Sequence, residues 1–419
     1  MLFSLPLYVV RFSFGPLPTT VVEVLFFIVL IAWFVANRSR LSVVFSNVVT
    51  VIRRYPVLSI IIGLILLSAT IGIFIAPDKL SALGVWRAYF VEPLVFFLLC
   101  LSVIDTAGKI RRAWWLLLLS GLCIAVFAIV QKFTGFAIPE TWLAELRVTS
   151  IYPYPNAVGL YLAPLVAMAL PFARYYCTRD LIKEKLKGIA VLCVAMIMLI
   201  AIFFAQTEAA LVALGVVVLG FGLLGAGKRI RYASMLIGFF IALTVWLSPV
   251  AQQVLYPKLL LHDWSGFVRR TTWSESVTML QDHWITGVGL SGYQTAMAPY
   301  HKATYIEIFM FPHNILLNVW TEMGILGVAG VLLLLVWCAY GAVRIFMIIK
   351  NKYTIDAQWH GCVLVVSTVV GLTMLIHGLV DVPYFKNDLA ILSWFFFAIF
   401  FITYVRVQKD FSHRSNALQ

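Results

Sequence analysis

The chain has 419 residues, of which 62% are hydrophobic and 12% charged. Soluble globular chains carry roughly half apolar residues, so the composition excludes a water-soluble domain, as does a mean hydropathy of +0.98. The net charge of +13 would suit a nucleic-acid binder. Membrane proteins, however, also collect Lys and Arg in their cytoplasmic loops, so the placement of the charges decides between the two.

A membrane-spanning helix needs about 20 apolar residues. Eleven segments qualify, near 17–36, 57–76, 82–104, 113–133, 157–173, 188–206, 208–226, 232–250, 314–346, 359–380 and 388–406. The fold class is therefore all-α, a polytopic membrane protein with one domain over 1–419. No signal-peptide cleavage pattern opens the sequence, so the first long apolar segment is expected to stay as a helix. The loops near 38–54, 109–112, 174–187, 228–231, 344–352 and 406–414 are rich in Lys and Arg, and the alternate loops are poor in them. By the positive-inside rule the basic set is cytoplasmic. That set accounts for most of the basic residues, so no nucleic-acid partner is expected. The C-terminus then lies inside and, with eleven spans, the N-terminus outside.

The outer loops are 77–81, 134–156, a tight turn at 207–208, 251–312 and 381–387. A loop of about sixty residues is usually functional. Within 251–312, "RRTTWSESVTMLQDHW" sets Trp273, Val277 and Leu280 at helical spacing, the pattern of an amphipathic helix lying on the outer interface. "TGVGLSG" follows as a flexible turn. It lacks the preceding strand that a nucleotide-binding fingerprint requires.

Lipid penalises polar side chains, so those at membrane depth or its edge are functional candidates. Arg147, Asn156, Glu208, Arg269, Arg270, His313, Asn314, His377 and Asp381 all fall in or beside outer loops. Asn314, Asn318 and Glu322 recur every four residues and form one polar stripe on a helix. Gly324, Gly327 and Gly330 form a smooth ridge deeper in, where another helix can approach closely. His313 stands at the start of this helix. An imidazole there either takes a proton from a hydroxyl or begins the helix at the interface.

Guanidinium groups bind phosphate oxygens through paired donors. Arg147, Arg269 and Arg270 on the outer face thus suggest an anionic ligand there, with lipid headgroups as the alternative. His377 and Asp381, four apart, can hydrogen-bond as a structural cap. Arg87 and Glu92, five apart, do not share an α-helical face, and each is expected to pair with another helix. No Asp-x-Asp, His-Glu-x-x-His or outer acidic cluster points to a metal. Of the six cysteines, Cys100, Cys123, Cys193, Cys338 and Cys362 lie in apolar runs and Cys177 in a basic loop. They show no ligand or disulfide spacing and read as small apolar core residues.

"HNILLNVWTEMGILGVAG" resembles the signature of the O-antigen ligase and Wzy polymerase family. That signature is His followed by Asn, Ser or Gln, nine residues, Gly-x-x-Gly, two more and a small residue. His313, Asn314, Gly324, Gly327 and Gly330 meet every term. "RRTTWSESVTMLQDHWITGVGLSGY" is similar to the family through Arg269, Trp273, Gly287, Gly289 and Tyr293. "RVTSIYPYPNAVGLYL" is similar through Arg147, Pro155 and Asn156. The resemblance covers residues 140–390 with motifs and the remainder by hydropathy.

The resemblance implies a GT-C-like membrane glycosyltransferase of the bacterial cytoplasmic (inner) membrane, with its active site facing outward. Its partners would be an undecaprenyl-diphosphate-linked glycan, membrane lipid, and a glycan, lipid or protein acceptor bearing a hydroxyl. It implies no metal and no cofactor, and inversion at the anomeric carbon. His313 would be the base or acceptor-positioning group, and Arg269 the diphosphate-binding arginine. One departure stands out. Ligases commonly carry Ser-Arg after the sixth or seventh span, whereas this chain has Thr207 and Glu208, and a carboxylate cannot clamp a diphosphate. Either Arg270 or Arg147 substitutes, or Glu208 acts on the acceptor. A polysaccharide polymerase shares the same motifs.

Two readings of other classes compete. A transporter of a small anion or lipid-linked sugar should show paired discontinuous helices in related halves, with ionisable groups near mid-membrane. The sequence shows no internal repeat, and its polar groups lie at the outer edge. A structural or assembly protein would leave the outer charges incidental.

Overall fold

The computed structural model describes residues 1–15, 17–224, 228–350 and 354–416. A 3-10 turn over Leu2–Val9 leads into a short antiparallel hairpin, β1 (Arg11–Phe14) and β2 (Leu17–Thr20), paired Arg11 to Thr20. Helices follow: α1 (Val21–Asn37), α2 (Leu41–Arg54), α3 (Pro56–Ile75), α4 (Lys79–Val103), α5 (Ala107–Thr134), α6 (Asn156–Cys177) and α7 (Ile182–Phe204). Then come α8 (Glu208–Leu224), α9 (Lys228–Leu247), α10 (Pro249–Leu259), α11 (Trp264–His283), α12 (Ile315–Ile349), α13 (Ile355–His377) and α14 (Asn387–Asn416).

The protein is an all-α, multi-pass membrane protein. Among the described residues nine helices are long and apolar enough to cross a membrane. A tenth counts if Arg231–Leu247 and Pro249–Lys258, bent by 90°, form one broken span. Glu208–Leu223 is apolar but shorter, so the expected eleven is not reached by this criterion. Residues 225–227 and 351–353, the latter within an expected basic loop, lie outside the described residues.

α6 and α14 are the most buried spans and form the middle of the bundle. α6 packs on α7 and α13, α5 on α7, α12 on α3, and the second half of α4 on α14. Trp114 of α5 meets Phe172 of α6 edge-on at 5.0 Å and Trp359 of α13 at 5.5 Å. Phe74, Phe133 and Val336 point outward, as lipid-facing positions should, since acyl chains are as apolar as the side chains. Cys123, Cys177 and Cys193 are also exposed, so only Cys100 and Cys362 are the buried residues the composition suggested.

The N-terminal hairpin is tied down by charge. Thr20 and Glu23 form a reciprocal capping box at the start of α1. Glu23 also meets Arg87 at 3.0 Å and accepts from Asn387 Nδ2 at 2.8 Å. Arg87 thus pairs with another helix, as expected, but it also pairs with Glu92 on its own helix at 3.2 Å, which the spacing did not suggest. The reason is a π-helical stretch over Arg87–Val91. A π-turn bonds i to i+5, so side chains five apart are brought onto one face.

α12 is not one continuous helix. It breaks at Gly324, where φ is 65° and ψ is −169°, a combination essentially open only to glycine. The segment after α11 fills the break: Val288 N donates to Thr321 O at 2.6 Å and Ile325 N donates to Ile285 O at 3.1 Å. Trp320 Nε1 donates to Trp284 O at 2.8 Å. The stretch expected to be a flexible turn is therefore packed backbone. Gly287, with φ of 65°, would place a Cβ 2.4 Å from Thr321 O. On the far side of the break Gly327 and Gly330 lie against Ser68 and Ile65 of α3, and Ser68 Oγ donates to Met323 O at 2.6 Å. The expected ridge for helix approach is thus present, with α3 as its partner.

α11 forms over the predicted stretch. Thr272, Ser276, Met279 and Leu280 are buried, while Val277 is half exposed. Ser276 Oγ bonds Tyr293 Oη at 2.7 Å. The buried face of α11 thus packs on the following loop and the outer half of α12.

Gly324→Ala is expected to lower stability by on the order of 2 kcal/mol or more, from left-handed strain and a Cβ falling 2.1 Å from Ile285 O. Gly63→Ala, which meets open space, serves as the control. Thermal unfolding of the purified proteins in detergent should separate the two. Equal melting temperatures would refute the account of the break.

Candidate functional site

The site is built on the four residues that follow α13. Gly378 O accepts from Ile315 N at 2.7 Å. Leu379 O accepts from Asn314 Nδ2 at 3.0 Å. Val380 O accepts from Arg269 Nε at 2.9 Å. Asp381 Oδ1 lies 3.7 Å from His313 Nδ1, an electrostatic contact longer than a hydrogen bond. Each docks a different group, and together they bring the start of α12 and the arginine of α11 onto one strip of backbone.

Local chemistry explains each placement. Asn314 is the N-cap of α12, its Oδ1 accepting from Leu317 N at 3.0 Å, which leaves its amide nitrogen free to reach Leu379. His313 precedes the cap with φ of 51°, an uncommon backbone for a non-glycine residue. Its ring is braced edge-on by Phe309 at 4.9 Å. Arg269 is steadied within α11 by Ser265 Oγ at 2.6 Å.

The electrostatics centre on Asp381. Burial raises its pKa, but His313 beside it and the charges of His377 and Lys386 outweigh burial and hold the carboxyl well below its ordinary value. Asp381 Oδ1 also accepts from Val382 N at 2.8 Å. His377, buried at the end of α13, sits in the fields of Asp381, Arg269 and Lys386. His377 and Asp381 are therefore neighbours, as their spacing suggested, in a cluster larger than a helix cap.

Lys386 escaped the sequence reading. Its Nζ is buried with no hydrogen-bond partner and lies 4.4 Å from the ring centre of Tyr154. Burial lowers its pKa, opposed by Asp388 and Asp381. A signal existed: "DVPYFKND" carries a lone lysine in a short outer loop, between two aspartates. Two members of the polar stripe are also deeply placed. Both amide atoms of Asn318 and one carboxylate oxygen of Glu322 are buried without partners. Buried polar groups are generally satisfied, so such groups call for an explanation.

The other candidates lie elsewhere. Arg147 donates to Ala205 O at 2.9 Å and to Asn156 Oδ1 at 3.0 Å, and stacks over Trp142 at 5.0 Å. It clamps the loop before α6 to the end of α7. Glu208 pairs with Lys258 of α10. Arg270 faces an open hollow whose lining includes neither His313 nor Arg269. Of the three arginines expected to share an anion, only Arg269 docks on the strip that His313 contacts.

Beneath the strip is a nearly all-apolar cavity of about 430 Å³. It begins at Ile315, Pro383 and Phe385, beside the strip, and follows α12 past Met323 and Leu334 to Ala342. Among the described residues no group of three His, Cys, Asp or Glu side chains could hold a metal ion.

These features define a multi-pass membrane protein with a basic and imidazole-bearing site at one pole and an apolar cavity below it. Residues 193–332 match the family described as O-antigen ligase. The match spans about a third of the chain, and over these residues the chain is similar to the O-antigen ligase family. The matched span runs from α7 into α12 and contains Arg269, His313, Gly324, Gly327 and Gly330. The strip at 378–381 lies beyond it. No curated protein compared with the chain matches it.

Asp381 titrates below its ordinary value in the folded protein, so its contribution to stability is present above the unfolded carboxyl pKa of about 3.9 and disappears as pH falls through the folded value. Asp381→Asn should therefore unfold more readily than the wild type at pH 7, with the gap narrowing as pH drops below about 4. Melting curves against pH check this. A gap independent of pH would mean that the carboxylate charge is not what stabilises the strip.

Proposed function

We propose that the protein transfers a glycan from undecaprenyl diphosphate to an acceptor hydroxyl on the outer face of the bacterial cytoplasmic membrane. The observation that carries this reading is the docking of Arg269 and His313 on consecutive residues of one strip, Val380 and Asp381, with an apolar cavity whose lining starts two residues away in sequence, at Ile315 and Pro383. A donor that is part anion and part long apolar chain needs both halves. The cavity suits a length of polyprenyl chain, and Arg269, with Lys386 nearby, supplies cationic charge for the diphosphate.

In the proposed step His313 takes the proton of the acceptor hydroxyl. The freed oxygen forms a bond to the anomeric carbon while the bond from that carbon to the diphosphate oxygen breaks. The electron pair leaves on the diphosphate, where Arg269 offsets the charge. Attack from the face opposite the leaving group inverts the anomeric carbon. Asp381, 3.7 Å from His313 Nδ1, keeps the imidazole oriented. The leaving group is already good, so positioning and charge supply most of the catalysis and the reading requires no metal. Placing the strip outside follows from the positive-inside assignment of the basic loops. Asn314 positions the histidine, and Arg147, Asn156 and Glu208 hold surrounding loops.

The transporter reading gains one observation, the broken helix α12. A transporter would use the freed backbone groups to coordinate its cargo. Here they bond to 285–288 instead, which favours transfer.

His313→Gln should fold yet lower transfer by about 10²–10⁴-fold, the usual worth of a general base. Arg269→Ala should chiefly raise the donor KM. Purified protein incubated with undecaprenyl-diphosphate glycan and candidate acceptors reports both. A ladder of products marks a polymerase and one defined conjugate a ligase. Full turnover by the His313 variant would remove the base from the mechanism.

A further inference from the structure

The loop-rich pole holds a second feature that the transfer step does not use. Trp264 and Phe267 lie with ring centres 5.9 Å apart and planes 26° from parallel. Phe267 and Tyr305 are 6.4 Å apart and 14° from parallel. The three rings form a strip whose ends, Trp264 and Tyr305, are each 67% exposed. Beside it is an open hollow of about 510 Å³, lined by Phe267, Arg270, Ser274, Glu275, Lys302 and Tyr305 among others.

The walls of this hollow are pinned together. Glu275 of α11 accepts from His301 Nδ1 at 2.9 Å, Lys302 N at 2.9 Å and Ala303 N at 3.2 Å. His301 Nε2 meets Ile306 O at 2.8 Å. The segment bearing Tyr305 is thus held against α11 before any ligand arrives. The same bonds occupy the Glu275 carboxylate. Neither Arg270 nor Lys302 forms an ion pair among the described residues. Two cations without carboxylate partners therefore face one preformed hollow.

From this we infer that the hollow is a binding site for an acidic glycan segment, such as a uronate-bearing stretch of the saccharide being transferred or of its acceptor. The inference rests on the glycan-transfer reading above. A sugar ring presents polarised C–H groups on one face, which pack on the negative face of an aromatic ring. Its hydroxyls and carboxylate need donors at the rim, and Arg270 and Lys302 provide them. Residues 269 and 270 point about 100° apart around α11. Arg269 turns to the strip at Val380 and Arg270 to the hollow, so one helix turn joins the reacting end of a glycan to its distal part. This also accounts for Arg270 standing apart from His313. The site recognises charge and flat sugar faces, not a single monosaccharide.

The test uses full-length protein in nanodiscs. Saturation-transfer NMR reads binding of a hyaluronan octasaccharide, which carries uronate, against neutral maltooctaose. The wild type should bind hyaluronan in preference to maltooctaose. Tyr305→Ala and Arg270→Gln should each weaken that binding by about tenfold or more. Tyr305→Phe, which keeps the ring, should retain it, and unchanged melting temperatures show that the variants fold. His313→Gln should lose transfer while holding hyaluronan normally. Absence of hyaluronan binding in the wild type, or equal binding by the Tyr305 and Arg270 variants, overturns the inference. So does strong quenching of Trp264 fluorescence by lipids brominated in their acyl chains, which would make the rings a membrane anchor. Transfer that survives in the His313 variant would instead overturn the catalytic reading and leave the hollow standing.

Discussion

A backbone N–H or C=O left without a partner inside a bilayer costs several kcal/mol, and that constraint organises this protein. Once Gly324 departs from helical geometry, α12 must find other partners for the groups it frees. It finds them in residues 285–288, through Val288 to Thr321 and Ile325 to Ile285. Because 285–288 immediately follow α11, the repair fixes α11 against the outer half of α12. Arg269 lies on the first of these helices and His313 at the head of the second. Their mutual placement is therefore set by main-chain bonds between the loop after α11 and the break in α12. The glycines of the signature have a mechanical role in this view. Gly324 makes the break, and Gly327 and Gly330 let α3 close on its inner side.

Charge then finishes what the backbone begins. The strip after α13 collects the side chain of Arg269 and the cap residue Asn314 through carbonyl oxygens, and carbonyls cannot be titrated away. The ionisable part of the arrangement is confined to Asp381, His313, His377 and Lys386. Lys386 is unusual among them, an ammonium covered by Tyr154 and without a hydrogen-bond partner. A buried cation of that kind is costly unless something nearby compensates. Its neighbours Asp381 and Asp388 do so in part, and an anionic donor at the strip would supply the remainder.

Much of this was legible in the sequence, and the limits are physical. Hydropathy located every long helix, because span length and apolarity are properties of the residues themselves. The count of eleven is not confirmed at α8 and at the α9–α10 bend, where span character depends on length and on the direction of the chain after Ser248. The motif residues Arg269, His313 and Asn314 were found because polar side chains at a membrane edge are conspicuous. The partners of these residues were not found. Val380 and Leu379 act through main-chain oxygens, which have no signature in residue type. Spacing misled at Arg87 and Glu92, since an α-helical period was assumed where the chain adopts a π-turn. Arg147 matched the anion-binding pattern by residue type, but in three dimensions its donors hold Asn156 and Ala205.

The separation of Arg269 from Arg270 shows how one helix can serve two demands. Adjacent residues on a helix diverge in direction, so a pair of arginines in sequence need not become a pair in space. A guanidinium at the diphosphate acts on the charge that develops there but does not by itself fix where the anomeric carbon lies. With one arginine at the strip and the other beside an aromatic hollow, the proposed distal glycan would contribute binding energy at a distance from the reacting carbon. That energy can be used to hold the anomeric carbon in line with the acceptor, which the diphosphate contact alone does not determine. The Thr207–Glu208 departure then loses its difficulty. Glu208 is engaged with Lys258, and a second guanidinium at that position is not required where Lys386 already lies beside Asp381.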